Sequence, residues 1–138
     1  FTYSLFPHAG PWQDADTVRR AWELNEPVLV SAPGRTATRA GTSAARLLVI
    51  EGPVVLSAAK AAEDSDGWIL RVYEPHGSRG LVRISGLQQI QQVKPCNHVE
   101  ENLGDSSIGE VTLLPDHDGF VFAILPFQIR SFRINQPF

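Results

Sequence analysis

The sequence has no methionine and one cysteine, Cys96, in 138 residues. A lone cysteine forms no internal disulfide, so packing rather than cross-linking must hold the chain together, and a reducing compartment, the cytoplasm, is the expected setting. No run of about 18 apolar residues is present to cross a bilayer, and no charged-then-apolar leader opens the chain. Positive charge is in deficit as well: 12 Lys and Arg face 15 Asp and Glu, a formal charge of −3. Nucleic acid and an anionic membrane both require a basic face, so neither is expected as a partner. The short signatures of nucleotide, serine-hydrolase and zinc chemistry are also missing, and no two of the four histidines (His8, His76, His98, His117) are spaced to share a helix face as metal ligands.

What is present is ordinary for a globular protein: 43% hydrophobic and 20% charged residues, in a length that suits a single domain over 1–138. The opening, Phe1 to Gly10, reads as a strand already under way that stops at Pro7, Gly10 and Pro11. With the initiator methionine also missing, the expectation is a piece of a longer chain. Asp14 and Asp16 supply N-cap oxygens for a short helix near residues 14–25, with Val18, Ala21 and Trp22 on its narrow apolar stripe. Trp22 is expected to anchor that helix across the edge or end of a sheet.

From there the pattern is β. Val28–Pro33 reads as a strand and 34–43 as a mobile loop. Leu47–Ile50 and Val54–Leu56 read as two strands joined at a Gly52-Pro53 corner, and Ser57–Glu63 as strand despite its alanines, because it lies between β-branched runs. Asp64-Ser-Asp-Gly67 is a turn cluster that sets up a hairpin into Trp68–Tyr73. Leu81–Ile84 and Gln88–Val93 read as strands of one antiparallel sheet. His98–Gly109 reads as an acidic loop, and Val111–Leu114, Phe120–Leu125 and Phe127–Ile134 as the closing strands. In the last of these, Phe127 and Ile129 share one face while Phe132 and Ile134 share the other, which calls for a bulge or a change of sheet. Seven to nine short strands with frequent Gly and Pro turns define a mainly β fold, an antiparallel β-sandwich with one short helix.

The residues offer little chemistry. Asp116-His117-Asp118 could form part of a metal site, but its position beside Gly119 is explained by turn chemistry alone, and the turn reading is preferred. His8, at a strand end after Pro7, and His76, in Tyr73-Glu-Pro-His-Gly77, are expected to bond neighbouring backbone rather than act as bases. Cys96, between Pro95 and Asn97, has no adjacent basic residue to activate it. Glycoside chemistry needs two carboxylates about 5–10 Å apart across a sugar, and nothing in the spacing fixes such a pair. Trp12, Trp68 and Tyr73 are core candidates or a stacking surface for a sugar ring, with Trp12, beside Pro11, the most exposed. Catalytic and metal-binding residues are therefore expected to be none, and binding residues are unassigned.

Longer phrases say more. Phe1-Thr-Tyr-Ser-Leu-Phe-Pro-His-Ala-Gly10, Val18-Arg-Arg-Ala-Trp-Glu-Leu-Asn25 with Pro27, Val54-Val-Leu-Ser-Ala-Ala-Lys-Ala-Ala-Glu-Asp64, Leu70-Arg-Val-Tyr-Glu-Pro-His-Gly77 and Pro126-Phe-Gln-Ile-Arg-Ser-Phe-Arg-Ile134 occur in this order. Together they resemble the C-terminal end of family 38 glycoside hydrolases, the class II α-mannosidases, in their bacterial and cytosolic branch. The resemblance implies a parent that is a zinc-dependent, retaining α-mannosidase acting on terminal α-linked mannose of oligosaccharides. Its nucleophile and zinc ligands would lie in an N-terminal α/β domain, followed by a helical bundle. None of those motifs occurs here, so no catalytic residue carries over. The implied role is a non-catalytic structural domain packing on the catalytic and helical domains of its own chain. Homo-oligomer formation is a further expectation. The alternative is a stand-alone carbohydrate-binding sandwich with Trp12 or Tyr73 as platform and the 34–43 and 98–109 loops as rims.

Overall fold

The computed structural model describes residues 3–26, 48–87, 89–104 and 109–135. The chain divides into two compact units, Phe1–Ala44 and Ala45–Phe138. Among the described residues the first unit holds one helix, α1 (Thr17–Asn25), and residues 3–8 have no regular structure. The expected opening strand is therefore not formed there: Pro7 lacks a donor, and Gly10 turns the chain at φ 75°. The expected strand 28–33 and loop 34–43 lie outside the described residues.

α1 is shorter than expected at its start. Asp14 and Ala15 belong to a turn, their amides donating to the carbonyls of Pro11 and Trp12 at 3.1 and 3.4 Å. Asp16 occupies the N-cap in the left-handed region, φ 58°, and its side chain caps nothing. It lies instead 3.6 Å from Arg19. Pairs at helical spacing, Arg19–Glu23 and Arg20–Glu23, line the helix, and Asn25 Nδ2 donates to the Ala21 carbonyl at its end. No residue of α1 is buried, and Trp22 is 37% exposed. A buried indole anchor is thus not what this helix carries.

The second unit is a sandwich of eight described strands: β1 (Val49–Glu51), β2 (Val55–Ala61), β3 (Trp68–Tyr73), β4 (Gly80–Ser85), β5 (Gln92–Cys96), β6 (Val111–Leu113), β7 (Gly119–Ile124) and β8 (Ile129–Asn135). They form two antiparallel sheets, in the orders β1-β4-β7-β6 and β2-β3-β8-β5. Only β2–β3 and β6–β7 are consecutive strands paired in one sheet; every other connection passes from one sheet to the other. The Gly52-Pro53 corner is such a passage, which is why β1 and β2 do not pair. Because strand side chains alternate, Val82 and Ile84 of β4 and Phe120, Phe122 and Ile124 of β7 face Leu70 and Val72 of β3 and Phe132 and Ile134 of β8 across the core. Phe132 sits between the sheets, with its ring 5.0 Å from Phe120 edge-on and 4.5 Å from Phe122.

Three strand expectations are corrected. The strand expected over 88–93 starts later: Gln89 to Gln91 lie outside it, β5 begins at Gln92, and Ile90, 1% exposed, plugs the core from the connection. β4 and β5 belong to different sheets. β8 keeps one continuous register against β3 and β5 with no bulge. The phase conflict vanishes because Phe127 lies in the preceding turn at φ 56°, and Arg130 fills the inward position that an apolar residue would otherwise take. The register shift falls in β2, between Leu56 and Ala58. Pro95 is accommodated because β5 is an edge strand.

Candidate functional site

The outer face of the β2-β3-β8-β5 sheet carries a network of paired charges. There Ile69, Cys96 and Ala62 form a small second core, covered by the turns that follow β2 and β5. Asn97 builds the second of these turns: its Oδ1 accepts from the amides of Val99 and Glu101, both at 3.0 Å, and its Nδ2 donates to the Glu101 carboxylate at 2.9 Å. Glu100, at φ 68° and 6% exposed, is folded inward by this turn.

Two cations fasten the turns down. Arg133, on β8, donates through Nη1 to both Asp64 oxygens at 2.7 and 2.8 Å and to the Asp66 carbonyl, and through Nη2 to the Glu100 carbonyl at 2.9 Å. Lys60, on β2, pairs with Glu100 at 2.7 Å and with Glu63. The Glu63 amide donates to the other Glu100 oxygen at 2.8 Å. The pKa shifts follow. Lys60 and the Glu63 amide hold Glu100 below the usual carboxylate range, Arg133 does the same to Asp64, and Glu100 and then Glu63 raise Lys60. Beside these groups lies a shallow recess of about 320 Å³, lined by Glu63, Asp64, Asp66, Glu100, Glu101 and Arg133 among others.

A second polar knot sits at the end of β3. Glu74 is 1% exposed, and its hydrogen bonds come from backbone amides and a hydroxyl rather than from a cation. Its carboxylate accepts from the amides of His76 and Gly77 and the Ser78 hydroxyl, each at 2.8 Å, and from the Phe127 amide at 3.0 Å. Burial alone would raise its pKa; the hydrogen bonds outweigh burial and lower it to about 2. Gly77 is required here, since its φ is 77° and a Cβ would stand 2.8 Å from the Phe127 ring. The knot ties the β3–β4 connection to the β7–β8 turn. A third buried ionic group, Arg130, donates to the carbonyls of Ala123 and Gly109 and lies 5.0 Å from the rings of both Phe122 and Phe132. Burial lowers its pKa.

The residues singled out from sequence are scattered. His8 Nδ1 is 3.1 Å from the Gly10 carbonyl, two residues away. His117, at φ 55°, lies in the β6–β7 turn with Nδ1 3.1 Å from the Ile90 carbonyl. Asp118, its neighbour, has its pKa raised by burial and then by Asp116. Cys96 is buried, and burial raises its pKa. Trp12 and Trp68 are 41% and 47% exposed, in different units, and Tyr73 is half-buried on β3. Sequence reasoning missed Glu74, Glu100, Arg130 and Arg133. For Glu74 a signal existed: a carboxylate directly before Pro75-His-Gly77-Ser78 meets a run of turn donors. The other three depend on contacts between residues far apart in the chain.

These groups tie loops to strands. Among the described residues, no group of three or more His, Cys, Asp or Glu is placed to hold a metal ion. The recess does not fit zinc: it has no His or Cys in its lining, and Glu100, Asp64 and Glu101 are already engaged by Lys60, Arg133 and Asn97.

The fold and its polar ties define an antiparallel β-sandwich module in which ionic groups fix loops. The profile described as the glycosyl hydrolases family 38 C-terminal beta sandwich domain matches residues 53–132, and the chain belongs to that family. It is 34% identical over 134 residues to human alpha-mannosidase 2C1 and 32% identical over 135 residues to its mouse counterpart. It is 26% identical over 137 residues to alpha-mannosidase G of Dictyostelium discoideum. Each alignment covers 95–96% of this chain and 12% of the relative's length. No solved structure matches the chain.

Proposed function

We propose that this chain is the non-catalytic C-terminal scaffold of a zinc-dependent, retaining α-mannosidase that removes terminal α-linked mannose from oligosaccharides. The bond-breaking groups and the zinc belong to the catalytic domain of that longer chain, and the sandwich packs against that domain and the helical bundle. Cytoplasmic residence fits the single buried thiol, Cys96. The observation that carries this reading is that the buried ionic groups of the sandwich, Glu74, Glu100, Arg130 and Arg133, are spent on backbone and loop ties. A group so committed is poorly placed to transfer a proton to a sugar.

In the complete enzyme, Glu100→Gln and Asp118→Asn are expected to change kcat for an aryl α-mannoside by less than about threefold, the scale on which positions outside the chemistry act. A loss of several orders of magnitude in kcat, with the fold intact by circular dichroism, would contradict the scaffold reading.

A further inference from the structure

The two outer faces of the sandwich are finished differently. On the β2-β3-β8-β5 sheet, Ile69, Cys96 and Ser131 are 0–4% exposed beneath the turns that Asn97 and Arg133 fix. On the β1-β4-β7-β6 sheet nothing among the described residues of the sandwich plays that part. Leu81 of β4 is 71% exposed, its cross-strand partner Ala123 is exposed, and Val121 follows along β7. Charge on this face includes Arg83 and Glu51, which lie 3.7 Å apart. Past the end of β7, Leu125 and Phe127 add 54% and 71% exposed apolar side chains.

The sequence of β7 is the sharper clue. An antiparallel strand with one wet face alternates apolar and polar residues, whereas one buried on both faces reads as a continuous apolar run. β7 reads Gly119-Phe-Val-Phe-Ala-Ile124, followed by Leu125, with no polar residue. Its inward set, Phe120, Phe122 and Ile124, is buried in the core; on the outward side the half-buried Val121 and the exposed Ala123 have the composition of a buried face without its full cover. Ala123, small and exposed, leaves room there for another body to come close. Most of the length of the related mannosidases lies outside the matched stretch, so a covering body is at hand in the same chain.

We propose that the outer face of the β1-β4-β7-β6 sheet, centred on Leu81, Val121 and Ala123, is the surface that docks on the preceding body of the longer mannosidase chain. This rests on the scaffold reading above and adds which face makes the contact. A contiguous exposed apolar patch of this kind marks an interaction surface.

Hydroxyl-radical footprinting of the complete chain tests it without any substitution, because Leu81 and Val99 are 71% and 73% exposed in the sandwich and lie over opposite faces. After correction for intrinsic reactivity, Leu81 is expected to oxidise about fivefold more slowly than Val99, as burial in a packed interface requires. Protection of Val99 with Leu81 open would overturn the choice of face and leave the scaffold reading standing. Equal, fast oxidation of both would overturn both. Protection of Leu81 that disappears on dilution would assign the face to a second copy and overturn the occupant proposed here. Photo-cross-linking from p-benzoylphenylalanine at position 81 should trap a peptide N-terminal to this domain; a cross-link within the domain would contradict the proposal.

Discussion

Single residues decide more here through backbone chemistry than through side-chain reactivity. Glu74 is the clearest case, a buried carboxylate held by three amides and a hydroxyl. Removing it strands buried donors at about 1–3 kcal/mol each, so Glu74→Ala should lower stability in urea titration by at least about 3 kcal/mol. The pH dependence has a definite sign. The folded pKa, about 2, lies below the ordinary value of 4.5, so the contribution is full above pH 4.5 and is lost as pH falls toward 2. Glu74→Gln should therefore show a flatter loss of stability across that window than the parent, measured by urea midpoints at each pH. Identical slopes would contradict the assignment. Gly119 is the second case, because a Cβ there would stand 2.0 Å from the Ile84 carbonyl in the β4–β7 ladder. Gly119→Ala should cost about 1–3 kcal/mol or more, the range for forced overpacking.

At the scale of elements, the sheets and not the helix carry stability. Phe132, 0% exposed and against two other phenylalanines, should lose about 3–5 kcal/mol on truncation to Ala, while Trp22→Ala on α1 should stay within about 1 kcal/mol. Thermal or urea melts of the two variants check the contrast. Arg133→Met keeps the apolar stem but releases the turn at Glu100, so amide exchange at Val99 and Glu101 should accelerate while that of Phe120 and Phe122 stays slow. The same elements show how much was legible in the sequence. The β2–β3 hairpin could be read from Asp64-Ser-Asp-Gly67, because turn chemistry is local: Ser65 and Gly67 adopt positive φ there, and the Ala62 amide reaches the Gly67 carbonyl. β2 was legible as strand against its alanines because its neighbours outvoted propensity. The partition of strands between sheets was not legible, since it is set by pairings between strands far apart in the chain, β4 with β1 and β7 and β5 with β8. Nor was the inward turn of Arg130, which depends on two phenylalanine rings and on carbonyls at Ala123 and Gly109. Charge was the least legible feature of all: nothing local ties Glu100 to Arg133, which meet only where the Asn97 turn presents the Glu100 carbonyl to the guanidinium.

At the scale of the whole molecule, the chain is 12% of the length of its mannosidase relatives. As proposed above, the sandwich contributes shape and docking surface to a glycosidase, and no bond-breaking group. An apolar outer face on one sheet and an outer face crossed by charge-tied turns on the other suit a module with one partner. The most direct measurement is turnover of an aryl α-mannoside by the 138-residue chain alone, shown folded by circular dichroism and supplied with zinc or cobalt, beside the complete chain under the same conditions. Release by the complete chain and a rate indistinguishable from buffer for the domain are expected. Saturable hydrolysis by the domain would contradict the proposal.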